Sequence, residues 1–263
     1  MKTTTHFISL CATVFLLSIS SANAQSINLK SIKNAVTTAT TKAPTLSKED
    51  IANGLKNALT VGSTNASTKL NKPDGFLKDA AVKILLPPEA QSIGKNITLI
   101  PGGQKLLDDA ILRMNRAAED AVITAKPIFV NAITDMTIAD AWNILHGPND
   151  AATTYLKNNA YTPLQMAFQP KISESLDKKI VGGVSASESW KVLMNANNKV
   201  AKSVAGKMAG MKTVNPDLAQ YVTEKALTGM FIKIADEEKL IRMNPTARVN
   251  DILKKVFAEL DKK

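Results

Sequence analysis

The sequence has almost none of the side chains that hold metals or form disulfides. It contains one cysteine, Cys11, and two histidines, His6 and His146, among 263 residues. One thiol cannot pair within the chain, which excludes a disulfide scaffold. A structural zinc site needs several Cys or His ligands and a di-iron bundle needs two Glu-x-x-His motifs, so neither is expected. We predict no metal and no cofactor.

Catalytic motifs are missing as well. A Ser-His-Asp or Cys-His arrangement would have to use His146, because His6 and Cys11 lie in an N-terminal segment that we expect to be removed. His146 directly precedes Gly147, and we expect it to cap the end of a helix, where the helix dipole favours a positive ring. Pro101-Gly-Gly-Gln-Lys105 is too short for a phosphate loop and predicts a turn before a helix. The sequence therefore assigns no catalytic residue.

Aromatic side chains are scarce, at 5% of the chain, whereas 33 basic residues outnumber 23 acidic ones and give a formal net charge of +10. Scattered lysines without aromatic stacking residues argue against nucleic acid as a partner. Eight lysines and three acids lie between Lys171 and Lys212, a balance that could attract anionic lipid headgroups or simply keep the surface solvated. Four residues of this segment form either an apolar surface for a partner or acyl chain, or local core: Met194, Ala201, Met208 and Met211.

The first 24 residues have the pattern of a secretory signal peptide. A positively charged start is followed by an apolar stretch from Phe7 to Ile19, and Ala22-Asn-Ala24 supplies small residues before a cleavage site. The stretch is too short for a membrane span, which needs about 20 apolar residues, and no later segment is long enough. We predict cleavage after Ala24 and a periplasmic location. Lipidation of Cys11 is not expected, because Leu10 stands where a small residue should precede it.

Helix start signals recur along the rest of the chain. Ser47, Thr137 and Ser185 each precede an acidic residue by three positions, which is the spacing of a capping box. Three pairs put a capping side chain before a proline: Thr162-Pro163, Asn215-Pro216 and Asn244-Pro245. Together with apolar residues at helical spacing, these signals predict helices at 47–70, 88–98, 103–124, 126–135, 138–146, 151–160, 163–180, 186–203, 216–242 and 245–260.

The fold class that follows is all-α, with little or no sheet. We expect a flexible, Thr-rich leader over 25–46 and a single-domain bundle of about 8–10 helices over 47–260. The best strand candidate is Ala80 to Leu86, a short run halted by Pro87 and Pro88, which would form a minor element. Apolar residues surround most of segment 216–242, so we expect it to be the central helix.

One group of charged residues is the candidate binding site. Arg113 and Arg116, two of only four arginines, lie at three-residue steps with Glu119 along one predicted helix. The planar fork of Arg suits bidentate contact with an anion, so these residues, joined by Glu224 of the central helix, could form an anion-binding or catalytic cluster. Alternatively, Arg116 pairs with Glu119 or with Glu224 and fixes how two helices meet. A buried Glu224 would need such a partner.

The other charged groups have structural interpretations. Arg242 and Arg248 lie on either side of Asn244-Pro245, and we expect them to cap a helix end and to hold the turn. The acidic runs Asp108-Asp109 and Asp236-Glu237-Glu238 could ligate Ca²⁺ or Mg²⁺, although such runs are more often solvated helix faces.

Several strings in the chain resemble one bacterial family, the domain of unknown function 4197. They include Arg116-Ala-Ala-Glu119, Lys126-Pro-Ile-Phe-Val-Asn-Ala-Ile133, Tyr221-Val-Thr-Glu-Lys-Ala-Leu227, Ile234-Ala-Asp-Glu-Glu238 and, upstream, Pro73-Asp-Gly-Phe-Leu77. The resemblance spans Ser47 to Phe257, and segment 182–212 departs from the family pattern. It implies an exported, helical, single-domain protein of Gram-negative bacteria and implies no activity.

Three kinds of function remain open on the sequence alone, one of them a structural or stress-related protein with no ligand. The leading hypothesis is a non-enzymatic periplasmic protein that binds an envelope protein or an anionic lipid or amphiphile. The alternative is an enzyme or small-anion-binding protein that uses Arg113, Arg116, Glu119 and Glu224. A cluster opening into a cavity would favour the alternative, whereas side chains that pair with one another would weaken it.

Overall fold

The computed structural model describes residues 46–91, 103–179 and 185–258 of the chain. Every regular element within these ranges is helical, which confirms the all-α class. The predicted signal peptide, the leader up to residue 45 and most of the helix predicted at 88–98 lie outside the described residues. The division into signal peptide, leader and one domain stays a prediction.

The helices, in chain order, are α1 (Lys48–Leu70), α2 (Gly103–Ala121), α3 (Ala125–Thr134), α4 (Ile138–His146), α5 (Ala151–Asp177), α6 (Ala186–Lys202), α7 (Val204–Met208), α8 (Leu218–Met243) and α9 (Asp251–Ala258). Three short 3₁₀ turns occupy Pro88–Ala90, Val122–Thr124 and Pro245–Ala247.

Capping boxes begin α1, α4 and α6, as the sequence predicts. In each, the N-cap hydroxyl accepts from the backbone N–H three residues later, and the acidic side chain there accepts from the N-cap backbone: Ser47 with Asp50, Thr137 with Asp140, and Ser185 with Glu188. Each box satisfies donors that the helix leaves free, which fixes the helix start to one residue.

The predicted break at Thr162-Pro163 is wrong, because α5 runs through both Pro163 and Pro170. Packing explains the continuity. Every fourth residue of α5 is buried, in the series Ala152, Leu156, Ala160, Leu164, Phe168, Ile172 and Leu176. Four residues advance about 40° beyond a full turn, so this stripe winds around the helix. It presents apolar side chains on several sides of α5, which contacts α2, α3, α4, α6 and α8.

Two other boundaries differ from the prediction. Helix α8 begins two residues later than predicted, because the carboxylate of Asp217, and not Asn215, accepts from the Gln220 backbone N–H. The segment predicted as one helix from residue 245 starts as the 3₁₀ turn capped by Asn244, and α-helix resumes only at Asp251.

The strand candidate Ala80–Leu86 forms no strand. Its first residues form a turn, in which the Val82 and Lys83 N–H groups donate to the Asp79 carbonyl (3.1 and 2.8 Å), and its later residues bond to side chains. The Ile84 N–H donates to Asn115 Oδ1 (2.9 Å), Asn115 Nδ2 donates to the Ile84 carbonyl (2.8 Å), and the Tyr221 hydroxyl donates to the Leu85 carbonyl (2.8 Å). The buried amide of Asn115 therefore takes the place of a strand partner at Ile84, and the segment lies against α2 and α8 as a turn followed by irregular backbone.

The central position of α8 is confirmed. Its buried residues lie on several sides of the helix, and it packs against α1, α2, α5 and α6. Phe231 contacts the rings of Phe129 and Tyr161, each with centroids 6.3 Å apart. Helices α1, α2, α5 and α6 are thereby arranged around α8.

Candidate functional site

The predicted charged cluster exists in part, with one member that the sequence did not indicate. Arg116 of α2 forms an ion pair with Glu119 (2.5 Å) and a second one with Asp74 (2.6 Å), which lies in the turn after α1. Of the two partners predicted for Arg116, Glu119 is the one observed. The Glu119 carboxylate is almost fully buried, at 3% exposure, and also accepts from the backbone N–H groups of Phe76 (3.0 Å) and Leu77 (3.4 Å).

These contacts hold the turn at residues 71–79 against α2. Hydrogen bonds from Lys78 and Arg116 lower the pKa of the Asp74 carboxyl, and hydrogen bonds to Glu119 and Asp74 raise the pKa of the Arg116 guanidinium. Both shifts stabilise the charged forms over the usual pH range. Because each group is paired, the cluster has the arrangement of a structural network.

The structure does not bring Glu224 into this network. Glu224 is exposed on α8, where it accepts from Gln220 Nε2 at 3.0 Å, one turn earlier on the same helix. The pairing of Glu224 with Arg116 is therefore wrong. Arg113 is half-buried on α2 and has no ion pair among the described residues.

Asp74 is the member that sequence reasoning missed. It adopts φ 69°, the left-handed region, and is the one non-glycine residue with positive φ in the described part of the chain. This conformation costs a non-glycine residue free energy and persists where surrounding contacts compensate. Its two ion pairs, with Arg116 and Lys78, provide them. The Pro73-Asp74-Gly75 string was the available signal, since it is typical of a tight turn.

A second buried network joins α4, α5 and α8. The Glu238 carboxylate accepts from the backbone N–H groups of Ala152 (2.9 Å) and Thr153 (2.7 Å), at the start of α5. Arg242 donates to Glu238 (2.9 Å) and to the Ile144 carbonyl (2.7 Å), near the end of α4. The Arg242–Glu238 ion pair thus satisfies N–H groups at the start of α5 and a carbonyl near the end of α4. The helix dipole favours a carboxylate at a helix start and a guanidinium at a helix end.

Arg248 completes this junction in the role that the sequence predicts. It donates to the carbonyls of Ile241 (3.0 Å) and Arg242 (2.9 Å) and caps the end of α8. Both guanidinium groups lie over the Phe257 ring, at 5.9 Å for Arg242 and 5.7 Å for Arg248. His146 also lies at its predicted helix end, with Nδ1 3.0 Å from the Trp142 carbonyl.

A groove with charged walls, about 570 Å³, lies beside the turn at residues 71–79 and α8. Its cations and anions neutralise one another: Lys69 pairs with Glu237, Lys78 with Asp74, and Lys233 with both Asp79 and Asp236. In the described ranges, no group of three or more His, Cys, Asp or Glu side chains has the arrangement of a metal site. This groove offers neither an unpaired nucleophile nor an unpaired base.

A different groove, about 330 Å³, lies between α1 and α3. One wall carries hydroxyl groups of α1, from Thr60, Ser63, Thr64, Ser67 and Thr68. The other wall is apolar and carries Val122, Ile123, Phe129, Val130 and Ile133. Ile123 is 68% exposed and Val130 44% exposed, so part of this apolar wall faces solvent.

The two ends of the α1–α3 groove differ. Lys56 Nζ donates to the Thr134 carbonyl (2.8 Å) at one end, and Asn71 Nδ2 donates to the Glu119 carbonyl (2.8 Å) at the other, so α1 and α3 run antiparallel. Lys72 and Lys126 consequently lie at the same end. Neither lysine has an ion pair in the described part of the chain, and the buried Ser67 hydroxyl has no hydrogen-bond partner there. Lys56 is held by the Thr134 carbonyl and does not line the groove, so the lining has an apolar wall and a cationic end at Lys72 and Lys126.

No single helix of the described residues is long and apolar enough to cross a membrane. One pair of segments, bent by 103° relative to each other, passes the same test of length and composition when taken together: Leu107–Thr134 and Ile138–His146.

The fold and its paired charges define an all-α protein with two buried ion-pair networks and open surface grooves. The chain belongs to the family described as protein of unknown function (DUF4197), whose model matches residues 45–258. No curated protein and no solved structure matches the chain.

Proposed function

We propose that this protein is a non-enzymatic, exported binding protein of the bacterial periplasm, and that its ligand is a single-chain anionic amphiphile held in the α1–α3 groove. The observation that carries the proposal is the division of this groove into a solvent-exposed apolar wall and a cationic end. Apolar pockets with a few placed polar groups are the usual form of small-molecule sites.

The dimensions of the groove suit one alkyl chain. The hydroxyl wall runs along α1 from Thr60 to Thr68, eight positions apart, so it extends about 12 Å at 1.5 Å per residue. The alkyl chain would cover Ile123 and Val130, and the anionic head would approach Lys72 and Lys126. A site within the core has far less room. The pocket beside Glu238 and Arg242 has a volume of about 20 Å³, enough for one water molecule.

The enzymatic alternative has less support. It required Arg113, Arg116, Glu119 and Glu224 to converge, whereas Arg116 and Glu119 are committed to the turn at residues 71–79 and Glu224 lies apart. Catalytic groups need a reacting atom within hydrogen-bond reach, whereas the almost fully buried Glu119 carboxylate already accepts three hydrogen bonds from Arg116, Phe76 and Leu77.

A binding titration tests the proposal. A fluorescent fatty acid and its alkyl-ammonium counterpart are titrated into the chain that begins at residue 25. We expect the fatty acid to bind and the ammonium compound to bind at least tenfold more weakly, because Lys72 and Lys126 repel it. Equal binding of both compounds, or no binding of the fatty acid, would contradict the proposal.

Matched variants locate the site. Val130→Asp places a charge on the apolar wall, and Ile138→Asp does the same at a residue of similar exposure outside the groove, 41% against 44%. We expect Val130→Asp to abolish fatty acid binding and Ile138→Asp to leave it unchanged. The cationic end is tested by Lys126→Glu against Lys157→Glu, which is also exposed. Separately, the mass of the protein recovered from the periplasm tests the predicted cleavage after Ala24.

A further inference from the structure

The end of α6 and the following α7 carry a cluster of exposed apolar side chains. We call residues 199–212 the tip. Its large apolar residues are exposed to 51% (Val200), 77% (Val204), 85% (Met208) and 39% (Met211). By contrast, Met194 and Ala201 are buried in the core. Of the four residues for which the sequence left surface and core open, these two are therefore core, and Met208 and Met211 are surface. An exposed apolar cluster of this kind is typical of an interaction site.

Only positive charge accompanies this apolar cluster. Lys199, Lys202, Lys207 and Lys212 are exposed, and the sequence contains no acidic residue between Ser189 and Pro216. None of these four lysines has an ion pair in the described ranges. The tip is therefore complementary to a surface that carries negative charge and has an apolar layer below the charged groups.

The tip is held in a defined shape. Two residues that flank the tip bond to each other: Asn198 Oδ1 accepts from the Val214 N–H and Asn198 Nδ2 donates to the Val214 carbonyl, both at 2.7 Å. At its end, the Ser203 hydroxyl accepts from the Gly206 N–H at 3.1 Å and so begins α7. A Cβ at Gly206 would lie 2.1 Å from the Val200 carbonyl oxygen, so the two helices approach too closely for any other residue. This packing presents Val204 and Met208, one helical turn apart, on the same side of α7.

We propose that the tip docks on the surface of an anionic lipid bilayer, with Val204 and Met208 inserted at the headgroup level and the lysines near the phosphates. Exposed apolar side chains combined with Lys are the features of interfacial membrane binding, and Lys side chains can extend to keep their charge in water. The centre of a protein–protein interface is typically enriched in aromatic residues, and the tip has none. The proposal is independent of the α1–α3 groove.

Vesicle flotation tests the docking. The chain that begins at residue 25 is mixed with vesicles of pure phosphatidylcholine or with vesicles in which one third of the lipid is phosphatidylglycerol. We expect flotation only with the anionic vesicles, and loss of flotation at 0.5 M salt, because surface charge is screened there. Equal flotation with both vesicles, or none with the anionic ones, would overturn the proposal.

Paired variants assign the binding to the tip. Met208→Ser with Val204→Ser removes the apolar contacts, and Met166→Ser with Val249→Ser changes residues of similar exposure elsewhere, 67% and 66%. Lys202→Gln with Lys207→Gln is expected to weaken partitioning about 25-fold, at about fivefold per lysine. We expect only the tip variants to lose flotation. Equal losses in the control pair would overturn the proposal, whereas Val130→Asp, the groove variant, should float as the wild type does.

Discussion

Glu119→Gln is the substitution that the buried network makes most informative. The Glu119 carboxylate accepts from Arg116 and from the backbone N–H groups of Phe76 and Leu77, and it is 3% exposed. A glutamine amide has one acceptor oxygen, so its NH₂ group would face a donor that loses its partner. Breaking a buried ion pair costs 3–5 kcal/mol, but the Arg116 side chain is 38% exposed and can be rehydrated. We therefore expect a loss of about 2–3 kcal/mol.

Thermal and urea unfolding followed by circular dichroism measure this loss. At 2–4 °C per kcal/mol for a chain of this size, Tm should fall by about 5–10 °C. The matched control is Glu224→Gln, the same change at an exposed residue, for which we expect less than about 0.5 kcal/mol. A double-mutant cycle with Arg116→Gln should give a coupling of about 1–2 kcal/mol. Equal effects of the two Glu→Gln changes would refute the assignment of Glu119 to a buried network.

Three further predictions address the other elements. Arg242→Lys should lower the free energy of unfolding, measured by urea titration, by about 2 kcal/mol, because one ammonium cannot reach both Glu238 and the Ile144 carbonyl. An unchanged midpoint of urea unfolding would contradict the α4–α5–α8 junction. Pro170→Ala should raise Tm, since an exposed proline inside a continuous α5 costs up to about 3 kcal/mol relative to alanine, and a lower Tm would contradict a continuous helix. Hydrogen bonding to Lys233 lowers the pKa of Asp79, so the contribution of this pair to stability is complete above the unfolded pKa, about 4, and is lost as pH falls through the lower folded pKa. Asp79→Asn should therefore flatten the decline of Tm below about pH 4.

The helix starts could be predicted because they depend on local chemistry. A hydroxyl followed three residues later by a carboxylate satisfies the free donors of a helix whatever surrounds it, and Ser47, Thr137 and Ser185 all do so. Pro163 was misinterpreted because its local preference is overridden by tertiary packing. Leu164 and Phe168, both fully buried, continue the stripe that begins before the proline.

The candidate site was predictable only in part for a related reason. The i,i+3 spacing of Arg116 and Glu119 is local and gives their ion pair directly. The partnership of Arg116 with Asp74 joins residues 42 positions apart, and no periodicity connects them. The α1–α3 groove depends on the antiparallel arrangement of two helices, which Lys56 and Thr134 establish across 78 positions.

Native mass spectrometry of the gently purified protein tests the central claim of amphiphile binding most directly. We predict extra mass of a single-chain lipid or fatty acid that disappears on denaturation, that is retained in Ile138→Asp and that is absent from Val130→Asp. A bare chain in the wild type, or the same bound mass in Val130→Asp, would contradict binding in the α1–α3 groove.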